Sequence, residues 1–344
     1  MSALRSVLPG PFDNFDLDAL VSGAARLRPE RLALTDATNT TLTFASLDQQ
    51  TSALAGALKD LGLQPGQRVM ISAAATTRSV VALFASLRAG LDVVMAPLHL
   101  TTEELQILTH ETQPSALLAE ARHGDLCPVD ALFVAAAATP SVKLVGSLWG
   151  HVEGAADLDP ALLDQRPRLP SAGRTTMPRL ITRASDNTAR SHEQRLLISA
   201  ALDLVSRARI GMRQPVLTTL SPTSLAGLVA GPVATLLAGA PLILHAPFDS
   251  DIFLQAISDN APLHLMMPLA METVLFEAGC LDRERIRSLC VFTRDAYLPE
   301  RTHSSPVPVI ALQANADDTS LAICVYDIGL MNGGAAASKE LATT

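Results

Sequence analysis

Apolar, strand-like runs alternate with helical segments along most of this chain, and this alternation constrains its fold more than any other feature. A helical pattern over 46–61 precedes the apolar run Arg68–Ser72. A second helical pattern, ended by Gly90, precedes the run Leu91–Met95. Runs rich in Val, Leu and Ile without polar alternation are typical of strands buried on both faces. Strand–helix–strand order pairs strands in parallel through right-handed crossovers, so the sequence predicts an α/β fold with helices on both faces of its sheet.

The same order resumes in the second half of the chain, after a Pro-rich connection over Asp157–Pro178. There the patterns predict helices over 192–208, 225–238 and 250–259, and strands at Val216–Leu220, Leu242–His245, Leu263–Met267, Cys290–Phe292 and Val307–Leu312. Pro268 fits the first turn of a further helix. We therefore expect a first α/β subdomain region over 1–170, a second over 171–330, and a frayed tail over 331–344.

The composition excludes several classes of protein. Of the 344 residues, 48% are hydrophobic and 17% are charged, which excludes a disordered chain. The formal net charge of −8, without a basic stripe, argues against a nucleic-acid partner. Pro232 and Gly239 interrupt the apolar stretch Leu228–Leu244, so we expect no membrane span there. Four scattered cysteines without a Cys-x-x-Cys pair indicate free thiols in a reducing compartment, and predict a cytoplasmic protein.

A set of short motifs follows one order along the chain. The clearest is Leu61–Val69, which reads Leu-Gly-Leu-Gln-Pro-Gly-Gln-Arg-Val. The others are Arg28–Leu34, Leu42–Leu47, Leu87–Gly90, Leu100–Leu105, Ser191-His192, Leu236–Ala240 and Met267-Pro268. Together they resemble the adenylate-forming (AMP-binding) superfamily of acyl-CoA synthetases, peptide-synthetase adenylation domains and luciferases. One motif alone is a weak signal, whereas collinear agreement from about residue 28 to about residue 312 is specific.

This resemblance implies two stacked αβα subdomains, as in the N-terminal domain of an acyl-CoA synthetase, with the chain entering one subdomain, leaving for the other and returning. The sequence stops before the family's ribose-binding aspartate segment and before the C-terminal domain with its adenylation lysine. We therefore expect that domain to be absent. The resemblance also implies ATP or AMP with Mg²⁺ as cofactors, and a carboxylate or acyl-CoA as the small-molecule ligand.

In the family, a loop rich in Thr, Ser and Gly that ends in Pro-Lys-Gly binds the phosphates of ATP. Glycines let backbone N–H groups approach the triphosphate, and the lysine neutralises part of its charge. The favoured register places this loop at Pro178–Arg190, which contains neither Gly nor Lys. A rival register at Ser171–Arg179 recovers a Gly and two Thr but leaves too many residues before His192. In both registers the sequence predicts an eroded phosphate loop.

The resemblance places further site residues by position. The nucleotide-binding candidates are Ser185, Thr188, Asp295, Gln313 and Asp317, and the acyl-pocket candidates are Ser224 and Gly227. Asp295 lies where the family has a Gly-Gly-Ala adenine-binding turn, and Gln313 replaces the tyrosine that stacks on adenine. Asp317 stands where a glutamate helps to hold magnesium, and its side chain is one methylene shorter, which makes it the candidate metal ligand.

Three functions remain open at this point. The first is an acyl- or aryl-CoA ligase-like pseudoenzyme that binds a carboxylate, an acyl-CoA, or a protein partner such as a full-length ligase or a second copy. The second is an active ligase subunit completed in trans by another chain. The third is a truncated paralogue without function. No residue is assigned as catalytic, and loss of the loop, the lysine and the C-terminal domain together predicts negligible activity of the isolated chain.

Overall fold

The computed structural model describes residues 16–160, 163, 177–246, 248–294 and 305–325, and two β-sheets run through this part of the chain. The strands are β1 (Leu32–Asp36), β2 (Thr41–Thr43), β3 (Arg68–Ala73), β4 (Asp92–Pro97), β5 (Ala116–Glu120), β6 (Leu144–Leu148), β7 (Ala156–Leu158), β8 (Leu180–Arg183), β9 (Ala189–His192), β10 (Val216–Thr218), β11 (Leu242–Leu244), β12 (Leu263–Pro268), β13 (Ile286–Thr293), β14 (Val309–Ala314) and β15 (Leu321–Val325). The α-helices are α1 (Leu17–Leu27), α2 (Phe44–Asp60), α3 (Thr77–Arg88), α4 (Thr102–Thr112), α5 (Pro128–Ala138), α6 (Gln194–Ala208), α7 (Leu225–Leu228), α8 (Ala234–Ala238), α9 (Ser250–Asp259) and α10 (Ala270–Glu277).

Both sheets are mainly parallel. The seven-stranded sheet has the order β7-β6-β5-β3-β4-β8-β9, and β9 is antiparallel to β8. The eight-stranded sheet has the order β15-β14-β13-β12-β10-β11-β1-β2, with antiparallel strands β2 and β15 at its edges. The predicted α/β class with buried parallel strands is therefore confirmed.

Three clusters of buried apolar side chains show how the layers pack. One cluster joins α4 and α5 to one face of the seven-stranded sheet, and it includes Leu105, Leu132 and Leu117. A second joins α9 and α10 to one face of the eight-stranded sheet. The third contains strand residues of both sheets together with α1, α2, α3, α6, α7 and α8, for example Phe84 of α3. These helices form a middle layer between the sheets, which matches the predicted pair of stacked αβα subdomains.

The assignment of strands to the two sheets does not change at residue 170, the predicted boundary between subdomain regions. Strands β1 and β2 come early in the chain but hydrogen-bond within the eight-stranded sheet, where β1 pairs with β11. Strands β8 and β9 follow residue 170 but extend the seven-stranded sheet, where β8 pairs with β4. The division of the chain into 1–170 and 171–330 remains a proposal about domains, and the predicted tail 331–344 lies outside the described residues together with 326–330.

Two predicted helices differ from those in the structure. The helix predicted over 225–238 is broken into α7, a π-helical turn at Val229–Val233 and α8, because Pro232 removes a backbone donor and Gly231 leaves helical dihedral angles. Pro268 is the last residue of β12 and not the first turn of α10, which begins at Ala270. None of the helices in the described residues has both the length and the apolar character needed to cross a membrane.

A buried arginine ties three helices of the middle layer together. Arg88 closes α3 and is 5% exposed. Its guanidinium donates to Asp18 of α1 at 2.5 Å, to Asp48 of α2 at 2.7 Å and to Ser52 of α2 at 2.6 Å. Both carboxylates are buried as well. The charges therefore compensate one another inside the protein, where an unpaired charge would be costly.

Candidate functional site

The predicted phosphate loop is a β-hairpin in the structure. Most of the region assigned to the loop forms β8 and β9, and only Ala184–Thr188 forms the turn between them. Ala184 N–H donates to the Thr188 carbonyl at 2.8 Å, and Asn187 N–H donates to the Ala184 carbonyl at 3.0 Å. Asn187 has φ of 67°, which its short polar side chain tolerates. The chain therefore closes a tight turn in place of an open glycine loop. The rival register falls mainly on 171–176, outside the described residues.

A buried carboxylate from the other sheet meets this turn. Asp318 lies between β14 and β15 and is 5% exposed. Its Oδ2 accepts a hydrogen bond from Ser185 N–H at 2.7 Å, and its Oδ1 lies 3.4 Å from Nε of Arg294. The Arg294 guanidinium also stacks on the ring of Phe292, with Cζ 5.6 Å from the ring centroid. The Ser185 amide at the predicted phosphate position is therefore already bound to a carboxylate.

Two further carboxylates bind the same turn. Asp186 accepts hydrogen bonds from the Thr188 N–H at 3.0 Å and from the Thr188 hydroxyl at 2.5 Å. These bonds hold the pKa of Asp186 below its usual range. Glu111 of α4 accepts the Ala189 N–H at 2.9 Å. Ser185 and Thr188 were the predicted nucleotide contacts, and in this structure their backbone donors serve carboxylates of the chain itself.

The arginines on the hairpin are also paired. Arg183 forms a 2.8 Å ion pair with Glu104, the residue that completes the capping box at the start of α4. That capping box and Arg183 together lower the pKa of Glu104 to about 2. Arg190 bonds to Asp186 at 2.7 Å and to the backbone carbonyl of Asp317 at 3.0 Å. Neighbouring groups of the protein therefore already bind both of these guanidinium groups.

Two adjacent aspartates in the turn before β15 differ in exposure, and only Asp317 was predicted from the sequence as a site residue. The side chain of Asp317 is exposed, whereas Asp318 is buried and bonded. Gln313, the residue predicted at the adenine-stacking position, lies near this turn on β14 and is half-buried. Asp295 lies outside the described residues. Across the described ranges no group of three or more His, Cys, Asp or Glu is arranged to hold a metal, and a ligand role for Asp317 stays a prediction.

The two predicted acyl-pocket residues lie at the start of α7. Ser224 is the N-cap, and its hydroxyl accepts the Gly227 N–H at 3.1 Å while donating to the Ser221 carbonyl at 3.0 Å. A Cβ built on Gly227 would lie 1.8 Å from that carbonyl oxygen. Position 227 therefore requires glycine for close packing of the turn before α7. Whether either residue contacts an acyl group stays a prediction.

A cavity opens beside α7. Its volume is about 250 Å³, and it lies between α6, the start of α7 and β15. Its apolar wall consists of Leu196, Leu197, Ala200, Leu225, Val229, Leu321 and Ile323. Its polar groups are His192, Ser199, Asp203, Thr319 and Ser320. Thr319 and Ser320 follow Asp318 directly, so one end of this cavity adjoins the hairpin site.

Two buried histidines are held neutral. His192 is 3% exposed and its Nε2 lies 2.8 Å from the Thr182 hydroxyl. Burial lowers its pKa to about 4, although the charge of Asp318 acts in the opposite direction. His264 on β12 shares a 2.8 Å hydrogen bond with the Ser288 hydroxyl, and its Nε2 has no partner among the described residues. Burial lowers the pKa of His264 to about 4 as well.

These histidines predict an acid-sensitive fold. The unfolded chain takes up a proton near pH 6.5, whereas the folded protein does so only near pH 4, so stability is complete above about pH 6.5 and falls between these values. At pH 5 each histidine should cost about 2 kcal/mol of unfolding free energy. Urea unfolding at pH 7.5 and at pH 5 measures this loss. His264→Leu should remove about half of the stability loss that the two histidines cause at pH 5. A loss in His264→Leu equal to that of the unchanged protein would contradict the assignment.

Comparisons with known proteins show which enzymes this chain is similar to. Residues 21–174 match the family model "AMP-binding enzyme". Over 193 residues the chain is 33% identical to the salicyl-AMP ligase / salicyl-S-ArCP synthetase of Mycobacterium tuberculosis, a match that covers 50% of this chain and 33% of the relative. It is 25% identical to the indoleacetate–CoA ligase of Aromatoleum aromaticum over 83% of this chain and 57% of the relative.

The solved structures share the fold at low sequence identity. A benzoate CoA ligase from Burkholderia xenovorans superposes with a TM-score of 0.73 at 20% identity, over 88% of this chain and 61% of that chain. The chain thus spans less than two thirds of the length of each of these three proteins.

Proposed function

Since this chain belongs to the adenylate-forming superfamily through the N-terminal portion of that fold, we propose that it is an acyl- or aryl-ligase-like protein that binds a small carboxylic acid and holds ATP only weakly. In this proposal the acid occupies the cavity beside α7. The Ser185 N–H and the Arg190 guanidinium of the phosphate site are already bound to carboxylates, so the isolated chain does not adenylate the acid. It acts as a pseudoenzyme of the ligase type.

One observation carries the proposal: carboxylates of the chain itself accept hydrogen bonds from the Ser185 and Thr188 N–H groups of the turn Ala184–Thr188. A triphosphate is held by unpaired backbone N–H groups and by cations that face it. Here the Ser185 N–H serves Asp318, and the Arg190 guanidinium serves Asp186. ATP would have to displace these bonds and would meet negative charge where the family offers positive charge.

The cavity supports the second part of the proposal. Pockets for drug-sized molecules span about 300–1,000 Å³, so a cavity of about 250 Å³ suits a smaller ligand. Its leucine, valine and isoleucine wall fits a ring or short chain, and Thr319 and Ser320, which carry hydroxyl groups, are among its polar residues. The three relatives described above carry a salicyl group, indoleacetate and benzoate in their names. We therefore assign the ligand to the class of single aryl or short acyl acids.

The proposal predicts which ligands raise the melting temperature of the intact chain. Salicylate, benzoate or indoleacetate should stabilise it, because a ligand of the folded state shifts unfolding by mass action, by about 2.7 kcal/mol at a hundred times its Kd. ATP with Mg²⁺ should produce no shift at millimolar concentration. Thermal unfolding with each acid, with ATP·Mg²⁺ and with both together measures these effects.

A matched pair of variants locates the acid. Ala200→Phe on α6 fills the cavity and should abolish the stabilisation by the acid. Leu202→Phe, on the same helix but 39% exposed and outside the cavity wall, should retain it. Stabilisation by ATP·Mg²⁺ alone would contradict the proposed loss of nucleotide binding and would favour a ligase subunit completed by another chain. Equal responses of the two variants would remove the acid from this cavity.

A further inference from the structure

The carboxylate of Asp318 is set up differently from the other carboxylates around the hairpin turn. Asp186 is exposed and lies within the turn itself. Asp318 comes from a different sheet, is 5% exposed, and bonds to Ser185 across 133 residues of sequence. It is also held in the left-handed region, with φ of 51°. The buried Asp318 carboxylate therefore binds the Ser185 amide, which lies far from it along the chain, and its backbone is held in a restricted conformation.

The partners of Asp318 are the partners that a phosphate oxygen would use. They are a backbone N–H on a turn, from Ser185 at 2.7 Å, and a guanidinium, from Arg294 at 3.4 Å. Backbone amides and arginine are the donors that proteins aim at phosphate groups. Arg294 keeps about half of its side chain exposed, 48%, so a ligand in solution could reach it once the carboxylate had gone.

We propose that Asp318 is a built-in anion that occupies a phosphate-binding position of this protein and excludes phosphate-bearing ligands from it. This inference rests on the proposed function, and it names the residue that determines the specificity of that site. The carboxylate acts in two ways. It takes the Ser185 N–H that would otherwise donate to a phosphate oxygen, and its negative charge repels a second anion at the same place.

Removal of this carboxylate should therefore open an anion site. Asp318→Gly suits the backbone, because glycine adopts positive φ without strain. The variant exposes the Ser185 N–H and releases Arg294. Isothermal titration of the intact chain with inorganic pyrophosphate should show binding at least about tenfold tighter than in the unchanged protein. Asp318→Asn keeps the size of the side chain and its tolerance of positive φ but removes the charge, so it should give an intermediate gain.

Asp125→Asn is the control for charge. It removes one negative charge from an exposed position between β5 and α5, outside every site described above. It should leave pyrophosphate binding as in the unchanged protein. An equal gain in Asp125→Asn would reduce the effect to net charge and overturn the proposal. A folded Asp318→Gly that binds pyrophosphate no more tightly than the unchanged protein would also overturn the proposal. If Asp318→Gly does not fold, an unchanged pyrophosphate affinity of Asp318→Asn would overturn it instead.

The two proposals fail separately. A rise in the melting temperature of the unchanged protein with millimolar ATP·Mg²⁺ contradicts the proposed function, whichever result the variants give. Absence of pyrophosphate binding in all folded variants, with the acid still bound in the cavity, contradicts only the role assigned to Asp318.

Discussion

Replacement of Arg88 by leucine should lower the free energy of unfolding by about 3–5 kcal/mol, the cost of leaving buried charges without their partner. Arg88 donates to Asp18 and Asp48 at 2.5 and 2.7 Å, and the side chains of all three residues are at most 3% exposed. Leucine restores apolar volume but supplies no donor. Both carboxylates would then lose their charged donor, and α1 and α2 would lose the ion pairs that join them to α3.

Urea unfolding at neutral pH measures this effect as a shift in the midpoint. The matched control is Arg207→Leu, which breaks the 2.7 Å ion pair with Asp203 on the surface of α6. Exposed ion pairs of this kind contribute about 0–1 kcal/mol to the free energy of unfolding, so the urea midpoint of the control should change little. A small effect of Arg88→Leu, comparable to that of the control, would show that the buried triad is replaceable by apolar packing.

Replacement of Gly227 by alanine should destabilise the protein by about 3 kcal/mol or more, at the upper end of single substitutions. The added Cβ would lie 1.8 Å from the Ser221 carbonyl oxygen, and the obstacle is backbone rather than a flexible side chain. Either the turn before α7 or the helix itself must move. Because Leu225 and Val229 line the cavity, the same substitution should also weaken the stabilisation by the acid.

Gly23→Ala is the control for this prediction. Gly23 lies inside α1, and a Cβ there would meet nothing within 4 Å. Alanine should therefore stabilise the helix by about 0.5–1 kcal/mol. In thermal and urea unfolding, Gly227→Ala should lower the free energy of unfolding and Gly23→Ala should raise it. If Gly227→Ala unfolds like the unchanged protein, the turn at Ser221 is free to adjust and the close packing has no role in stability.

Local sequence signals account for local structure where the interacting groups are close along the chain. The capping box of Thr101 and Glu104 depends on groups three residues apart, and the structure contains it with both reciprocal bonds. The helix over 225–238 failed because tertiary packing in the middle layer accommodates Gly231 and Pro232 by a π-helical turn rather than by a clean stop. No periodic pattern distinguishes a continuous buried helix from an interrupted one when every residue is apolar.

For the site, the sequence could predict which segments contribute to it but not which side chains bond to one another there. The resemblance to the family assigned Pro178–Arg190 and Asp317 to one nucleotide site, because the order of the motifs identifies segments that family members bring together. It could not say which of Asp317 and Asp318 turns inward, because adjacent residues on a turn differ only through backbone dihedral angles and strand register. Nor could it show that Ser185 bonds to a carboxylate far along the chain, since such a contact depends on how the two sheets are placed.

That last contact has a mechanical consequence. Ser185 belongs to a hairpin of the seven-stranded sheet, and Asp318 belongs to the turn before the last strand of the eight-stranded sheet. The hydrogen bond between them is therefore one of the contacts that join the two sheets, alongside the apolar middle layer. A phosphate that took the Ser185 amide would break this contact, so occupation of the site and loss of one inter-sheet bond would occur together.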